Sequence, residues 1–203
     1  MGLNGFLLSA ALSIGVGAGM AWYLERPALE RRDTAGESRP AETVEVGGPF
    51  TLVDQTGHEV TDRDFLGRYM LIYFGYSYCP DVCPTELQIM SEALDRLGTA
   101  AQKVQPVFVT VDPDRDTVET LAGYVKHFRP DLVGLTGSNE QIARVTSAYR
   151  VYAARDLSSG DPANYVVNHS SVTYLMDPKG KFLMVFPYGT KPEDMASGIR
   201  THL

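Results

Sequence analysis

Two cysteines separated by three residues are the side chains of this sequence that are best suited to carry out chemistry. Cys79 and Cys83 are the only cysteines in the 203-residue chain, which excludes a disulfide-stapled scaffold and a four-thiolate zinc site. A continuous apolar run precedes them and a helical pattern follows them. The backbone N–H groups and the dipole at the start of a helix favour a thiolate over a thiol. Because thiolates are nucleophiles and ligands of soft metal ions, the pair suits either redox chemistry or the binding of Cu(I).

The spacing of the two cysteines leaves their chemistry open. Residues four apart in a helical turn share a face, with Cβ atoms about 5–6 Å apart. A disulfide needs Cβ atoms about 3.5–4.5 Å apart, so oxidation of this pair requires local adjustment. A structural disulfide, or two inert buried thiols, is the alternative to redox or metal chemistry. A bridge that closes so short a loop stabilises a fold only modestly, which weakens that alternative.

The elements that position the cysteines alternate between strands and helices. Residues 68–76 (RYMLIYFGY) form an apolar run typical of a strand buried on both faces, and residues 86–97 have helical spacing with Gly98 as a stop. The other predicted elements are a hairpin about residues 55–57, strands at 106–112 and 131–136, helices at 117–128, 139–149 (with Asn139 as the cap) and 192–201, and a hairpin about residues 177–180. This order predicts a layered α/β domain.

The N-terminal region predicts a membrane anchor followed by a linker. Residues 3–24 carry no charge and would form a helix about 33 Å long, enough to cross a bilayer core of about 30 Å. We therefore expect a single transmembrane helix within residues 1–24, with a cleaved signal segment as the alternative. Residues 25–45 are polar and read as a flexible linker. A compact domain is expected over residues 46–203.

The charge of the chain argues against nucleic acid as a partner. Eighteen basic residues face 25 acidic residues, for a net charge of -7, whereas a nucleic-acid-binding domain normally presents a basic face. Taken alone, the arginines that follow the apolar segment would place the C-terminal domain in the cytoplasm.

Three segments together resemble the Sco/SenC family of copper-binding, thioredoxin-like proteins, which assist assembly of the copper centre of cytochrome c oxidase. These segments are CPDVCPTEL after YFGYSY, VTVDPDRDT, and YVVNHSSVTYLMDPKG. The resemblance covers about residues 46–202, and the N-terminal anchor matches the family layout. It implies a thioredoxin-like fold with an N-terminal hairpin extension, and copper, Cu(I) or Cu(II), bound by Cys79, Cys83 and His169.

Two further residues take candidate roles from the resemblance. The family commonly has Asp where Asn168 stands, and a ligating histidine is usually oriented by a neighbouring acceptor, so copper affinity or redox preference is expected to differ here. Asp112 opens the DPDRD segment, and the resemblance links its carboxylate to the metal site or a partner. Its other interpretation is a turn-former beside Pro113. Without the resemblance, His169 would be interpreted as an ordinary surface histidine.

The resemblance implies a membrane-anchored copper metallochaperone that delivers copper to the copper-bearing subunit of cytochrome c oxidase. Other copper chaperones and a thioredoxin-like reductant are expected as further partners. The resemblance implies that the domain faces the periplasm. We expect the membrane to be a bacterial inner membrane, because the N-terminus lacks an Arg-rich mitochondrial leader.

Two other functions stay open. One is an enzyme, a thiol–disulfide oxidoreductase whose catalytic pair, Cys79 and Cys83, reduces the cysteines of the oxidase copper site. The other is a redox or copper sensor. The spacing of three residues, rather than two, and the presence of His169 favour metal binding.

Overall fold

A seven-stranded mixed sheet is the centre of the protein, seen in a computed structural model that describes residues 45–158, 160 and 165–203. Its strands are β1 Thr51–Asp54, β2 Glu59–Thr61, β3 Tyr69–Gly75, β4 Val104–Thr110, β5 Val133–Thr136, β8 Val172–Met176 and β9 Phe182–Pro187. In the sheet they lie in the order β2-β1-β5-β4-β3-β8-β9.

Strand β3 lies deep in the sheet because both of its faces are apolar. Six of its seven residues and all seven of β4 are buried, which fits strands covered on both sides. β3 pairs in parallel with β4, from Tyr69 opposite Val104 to Gly75 opposite Thr110, and antiparallel with β8 on its other side. The carboxyl ends of β3 and β4 therefore meet at one edge, and the loops that follow them lie side by side.

In the described part of the chain, four α-helices connect and flank the strands. They are α1 Val82–Leu97, α2 Val118–Val125, α3 Asn139–Ala148 and α4 Pro192–Arg200, with two 3-10 helices at Asp62–Phe65 and Gly98–Lys103. Helix α1 packs against α4, while α2 contacts β5 and α3 contacts β1. Gly98 ends α1 with a φ of 62°, a conformation that glycine adopts at little cost. Ser138, rather than the predicted Asn139, caps α3, since its hydroxyl accepts the N–H of Gln141.

The topology confirms the expected α/β, thioredoxin-like fold. Strands β4-β3-β8-β9, with α1 directly after β3 and α4 directly after β9, form the thioredoxin-like unit. The hairpin of β1 and β2 is the predicted N-terminal extension, and it joins the sheet through β5.

A second, two-stranded sheet is the element that the sequence pattern missed. It pairs β6 (Ala153–Asp156) with β7 (Val166–His169) in antiparallel register, so that Ala153 lies opposite His169. The sequence AARD has no apolar alternation, and most of the hairpin is exposed, so no pattern marks β6 as a strand. We refer to this pair of strands as the β6–β7 sheet.

The predicted anchor and nearly all of the predicted linker, residues 1–44, lie outside the described residues. Glu45–Leu203 form one compact unit. None of the helices in this described part is long and apolar enough to cross a membrane.

Candidate functional site

The two cysteines lie where β3 passes into α1. Cys79 is half-buried in the connecting loop, whereas Cys83 is in the first turn of α1 and has no exposed surface. The backbone N–H of Cys83 points at the sulfur of Cys79, with an N to Sγ distance of 3.4 Å. Both cysteines are free thiols. The structure thus has the strand–helix junction that the sequence predicts, and it leaves both sulfurs available as donors.

His169 reaches the cysteine pair from the end of β7. Its Nε2 atom lies 3.4 Å from the Sγ of Cys83, and its Nδ1 atom lies 3.2 Å from the carbonyl oxygen of Ser170. Since a carbonyl oxygen only accepts hydrogen bonds, Nδ1 is the donor in this pair. That assignment leaves Nε2 as the ring nitrogen nearest to Cys83, and a neutral imidazole binds a metal ion through its unprotonated nitrogen.

Two tyrosine rings fix the other sides of the imidazole. Tyr73 and Tyr76 meet the ring of His169 edge-on, with centroid distances of 6.2 and 5.9 Å. The hydroxyl of Tyr73 also lies 3.8 Å from the Sγ of Cys83. Aromatic pairs of this geometry are favourable, so the ring is held beside the sulfur by packing as well as by hydrogen bonding.

The thiols of the pair differ in acidity. A hydrogen bond from the Cys83 thiol lowers the pKa of Cys79, and His169 and the backbone N–H groups of residues 81 and 83 act in the same direction. The same hydrogen bond, together with burial, raises the pKa of Cys83. The first proton to leave the pair therefore comes from Cys79, and the resulting thiolate lies at the accessible edge of the site.

This difference predicts selective alkylation. At neutral pH, iodoacetamide should modify Cys79 at least about tenfold faster than Cys83, because Cys79 is both more exposed and more acidic. Mass spectrometry of peptides after timed quenching measures the two rates separately. Protein unfolded in urea is the control, where both cysteines should react alike. Equal rates in the folded protein would contradict the prediction.

Gly75, at the end of β3, is required by the close approach of Cys83. A Cβ atom at this position would lie 2.9 Å from the Sγ of Cys83 and 3.0 Å from ring carbons of Phe108 and Tyr73. The absence of a side chain on Gly75 therefore creates the space that the buried sulfur occupies.

The two acidic positions of the DPDRD segment that are buried have separate roles in the fold. Asp112 has no exposed surface, and it accepts a hydrogen bond from the hydroxyl of Tyr165 at 2.6 Å. Asp116 is also buried, and it accepts hydrogen bonds from the backbone N–H of Ser77 and the hydroxyl of Thr110. Asp116 thus fixes the loop that leads to Cys79. Its burial could not be predicted from the sequence, because Asp114, two residues before it, is exposed.

Asn168 lies on the exposed face of β7, opposite to the face that carries His169. The hydrogen bonds of the imidazole within the described residues go to Ser170 and Cys83 rather than to Asn168. The neighbouring hydrogen-bond acceptor expected at position 168 is therefore supplied by the backbone carbonyl of Ser170.

Glu86 is a buried carboxylate one turn after Cys83, and the sequence pattern counted it only as part of the helix. Its Oε1 accepts the N–H of Gly189 at 3.0 Å, while its buried Oε2 has no hydrogen-bond partner among the described residues. Burial raises the pKa of Glu86. A carboxyl group whose pKa is higher in the folded than in the unfolded state stabilises the folded protein. This contribution to the unfolding free energy is fully present below the pKa of the unfolded state and is lost as the pH rises through the pKa of the folded state.

Glu86→Gln should remove this part of the pH dependence. The unfolding free energy of the variant, relative to that of the wild type, is expected to rise as the pH increases above the ordinary glutamate pKa, because only the wild type loses stability there. Urea unfolding between about pH 4 and pH 8 measures it. Glu92→Gln, on the exposed face of the same helix, is the control with the same change of charge. Parallel pH profiles for wild type and Glu86→Gln would rule out the explanation.

The donor set fits a soft or borderline metal ion. The separation of 3.4 Å between Cys83 Sγ and His169 Nε2 is close to that of two donors sharing one ion at about 2.0–2.3 Å. Within residues 45–158, 160 and 165–203, no three His, Cys, Asp or Glu side chains already stand as a metal-binding group. Binding through Cys79, Cys83 and His169 therefore needs a small adjustment of side chains.

Comparison with known proteins agrees with the fold and the motifs. The sequence matches the SCO1/SenC family over residues 38–203. It is 38% identical over 199 residues to the mitochondrial SCO1 homolog of Homo sapiens, covering 96% of this chain and 66% of that protein. It is 39% identical over 190 residues to an SCO2-like protein of Rickettsia conorii, covering 93% of each chain.

A solved structure of copper-bound ScoI from Bradyrhizobium japonicum is also similar. It is 44% identical to this chain and has a TM-score of 0.72, over 78% of this chain and 99% of that one. The family match covers most of the sequence, and the relatives are identical to it at more than a third of the aligned positions. The chain therefore belongs to the SCO1/SenC family.

Proposed function

We propose that this chain is a copper metallochaperone. A helix within residues 1–24 anchors it in a bacterial inner membrane, and its domain, residues 46–203, faces the periplasm. Its cargo is copper, which it delivers to the copper-bearing subunit of cytochrome c oxidase. The observation that carries the proposal is the placement of His169 Nε2, 3.4 Å from the sulfur of Cys83. The copper in the similar ScoI structure and the relative from Rickettsia support the cargo and the bacterial origin.

The three donors match both oxidation states of copper. Two thiolates select Cu(I), and an imidazole adds a borderline ligand that also suits Cu(II). Cys79 lies at the accessible edge and Cys83 at the buried one. A set of three ligands with one accessible edge lets an acceptor thiolate approach the ion and replace the ligands one at a time.

The test is the copper stoichiometry and absorption spectrum of the reduced full chain in detergent, beside those of His169→Ala. We expect one copper per chain and a thiolate-to-Cu(II) charge-transfer band that the variant loses, while dithiol–disulfide exchange is largely retained. His127→Ala, which removes an exposed histidine elsewhere, is the control. A chain that binds no copper would overturn the proposal.

The second candidate is a thiol–disulfide oxidoreductase that reduces the cysteines of the oxidase copper site. The lowered pKa of Cys79 and its contact with Cys83 favour this function, because a thiolate beside a second thiol is the arrangement that dithiol exchange uses. A domain that turns over disulfides without binding copper, and that is insensitive to His169→Ala, would establish it.

A further inference from the structure

The β6–β7 sheet, which carries His169, is held to the rest of the domain by a cluster of charged and aromatic side chains. The cluster consists of Asp112, Arg115, Arg155 and Tyr165, and we call it the clamp. Asp112 and Arg115 come from the loop after β4, Arg155 is in β6, and Tyr165 directly precedes β7. The clamp therefore joins the loop that follows the main sheet to both strands of the smaller one.

The carboxylate of Asp112 is the centre of the clamp. It is fully buried, accepts the hydroxyl of Tyr165 at 2.6 Å, and forms an ion pair with the Nε of Arg115. Arg155 approaches Asp112 at 3.5 Å and forms a closer ion pair with Asp114 at 2.5 Å. A buried carboxylate needs such partners, so these contacts hold one another in place.

Arg115 binds Tyr165 in two further ways. Its Nη1 donates to the carbonyl oxygen of Tyr165 at 3.0 Å, and its guanidinium lies over the ring, 3.7 Å from the centroid. The rings of Tyr78 and Tyr76 are 5.0 and 5.5 Å from the same guanidinium. The buried Nη2 of Arg115 has no hydrogen-bond partner among the described residues, and the planar group stacks on aromatic faces instead.

Outside the clamp, the described contacts of this sheet are those of His169 with Tyr73, Tyr76 and Cys83 and the packing of Val167. Val167 is its buried apolar residue, and the N–H of Val167 donates to the hydroxyl of Tyr76 at 3.3 Å. A cleft of about 300 Å³ lies between the β6–β7 sheet and the loop after β4, lined by Val111, Asp114, Asn139, Ala153, Arg155 and Val167. Because the sheet does not pack closely at this cleft, the clamp is its main attachment on the side of the loop after β4.

We propose that Tyr165 is a positioning residue which, with Arg115 and Arg155, holds His169 within reach of the cysteine pair. The inference rests on the proposed function, in which His169 is a copper ligand. Tyr165 precedes His169 by four residues of extended chain, so a shift of Tyr165 moves the imidazole, while Cys79 and Cys83 stay fixed by β3 and α1. Tyr165 and Arg155, which do not contact the loop of Cys79, thereby affect copper coordination through the imidazole and leave binding by the two thiolates in place.

The test compares Tyr165→Phe with Tyr152→Phe in the reduced full chain. Both lose one hydroxyl, but Tyr152 is 63% exposed and is not part of the clamp. Tyr165→Phe should weaken Cu(II) binding and the thiolate-to-Cu(II) band by about tenfold, with Cu(I) affinity unchanged. In the metal-free protein, the ring-current shifts of the His169 imidazole protons, which arise from Tyr73 and Tyr76, should decrease. Tyr152→Phe should match the wild type in every measurement.

Arg155→Gln is the second variant, because Arg155 is partly exposed and its replacement leaves the core intact. It should change the Cu(II) band and the shifts in the same direction as Tyr165→Phe. Wild-type shifts and spectra in both variants would overturn the positioning role, as would an equal loss of Cu(I) and Cu(II) affinity. If His169→Ala keeps the Cu(II) band, the ligand assignment fails instead, and the shifts in metal-free protein still decide whether Tyr165 positions the ring.

Discussion

Cys83→Ser is expected to weaken Cu(I) binding by more than about 100-fold, beyond the loss typical of removing a residue that merely orients a ligand. A hydroxyl stays protonated at neutral pH and is a hard donor, so it cannot replace a thiolate for Cu(I). The sulfur of Cys83 also lies 3.4 Å from Nε2 of His169 and shares a hydrogen bond with the sulfur of Cys79, so it is placed between the other two donors. Competition with a chromophoric Cu(I) chelator measures the affinity.

The control for Cys83→Ser is Thr85→Ser, a change in an exposed side chain of the same helical turn. This control should keep wild-type affinity. Serine is small enough for the buried position, so thermal unfolding should show that Cys83→Ser remains folded. A folded Cys83→Ser protein with Cu(I) affinity within about tenfold of the wild type would exclude Cys83 as a ligand.

Gly75→Ala should destabilise the domain by about 1–3 kcal/mol and weaken Cu(I) binding. The added methyl group would lie 2.9 Å from the Sγ of Cys83 and 3.0 Å from two aromatic rings of the core. Phe108 and Tyr73 are fully buried and cannot move aside freely, so the sulfur of Cys83 is displaced from its position. Urea unfolding gives the stability, and the same chelator competition gives the affinity.

Gly123→Ala is the matched control for this substitution. Gly123 lies within α2, and a Cβ atom there would meet nothing within 4 Å. Alanine in a helix is favoured over glycine by up to about 1 kcal/mol, so this variant should be as stable as the wild type or more stable. If Gly75→Ala behaves like Gly123→Ala, the close approach of Cys83 does not constrain position 75.

Most of the sheet and the helices could be predicted from local patterns. The apolar run of β3, the turn residues of the β1–β2 hairpin, and Gly98 at the end of α1 each carry their signal within a few residues. The β6–β7 sheet could not be predicted this way. Its strands are held by hydrogen bonds to one another and by the clamp, and neither contact imposes an apolar period on the sequence.

The candidate site divides in the same manner. Cys79 and Cys83 are close in sequence, and their position at a strand–helix junction follows from the pattern around them. His169 entered the site only through the resemblance to Sco/SenC proteins, because its partner is 86 residues away and its neighbours form no recognisable motif by physical reasoning alone. The buried states of Asp116 and Glu86 depend on tertiary packing, which one sequence does not reveal.

The distance of 86 residues between Cys83 and His169 also has a consequence for the growing chain. Synthesis completes both cysteines well before the strand that carries the histidine exists, and the loop between them closes at an entropic cost that grows with its length. Contacts of this separation form late relative to local ones. During synthesis, the chain therefore passes through a stage in which both thiols are present and His169 is not, so on the proposed function the third donor joins the site last.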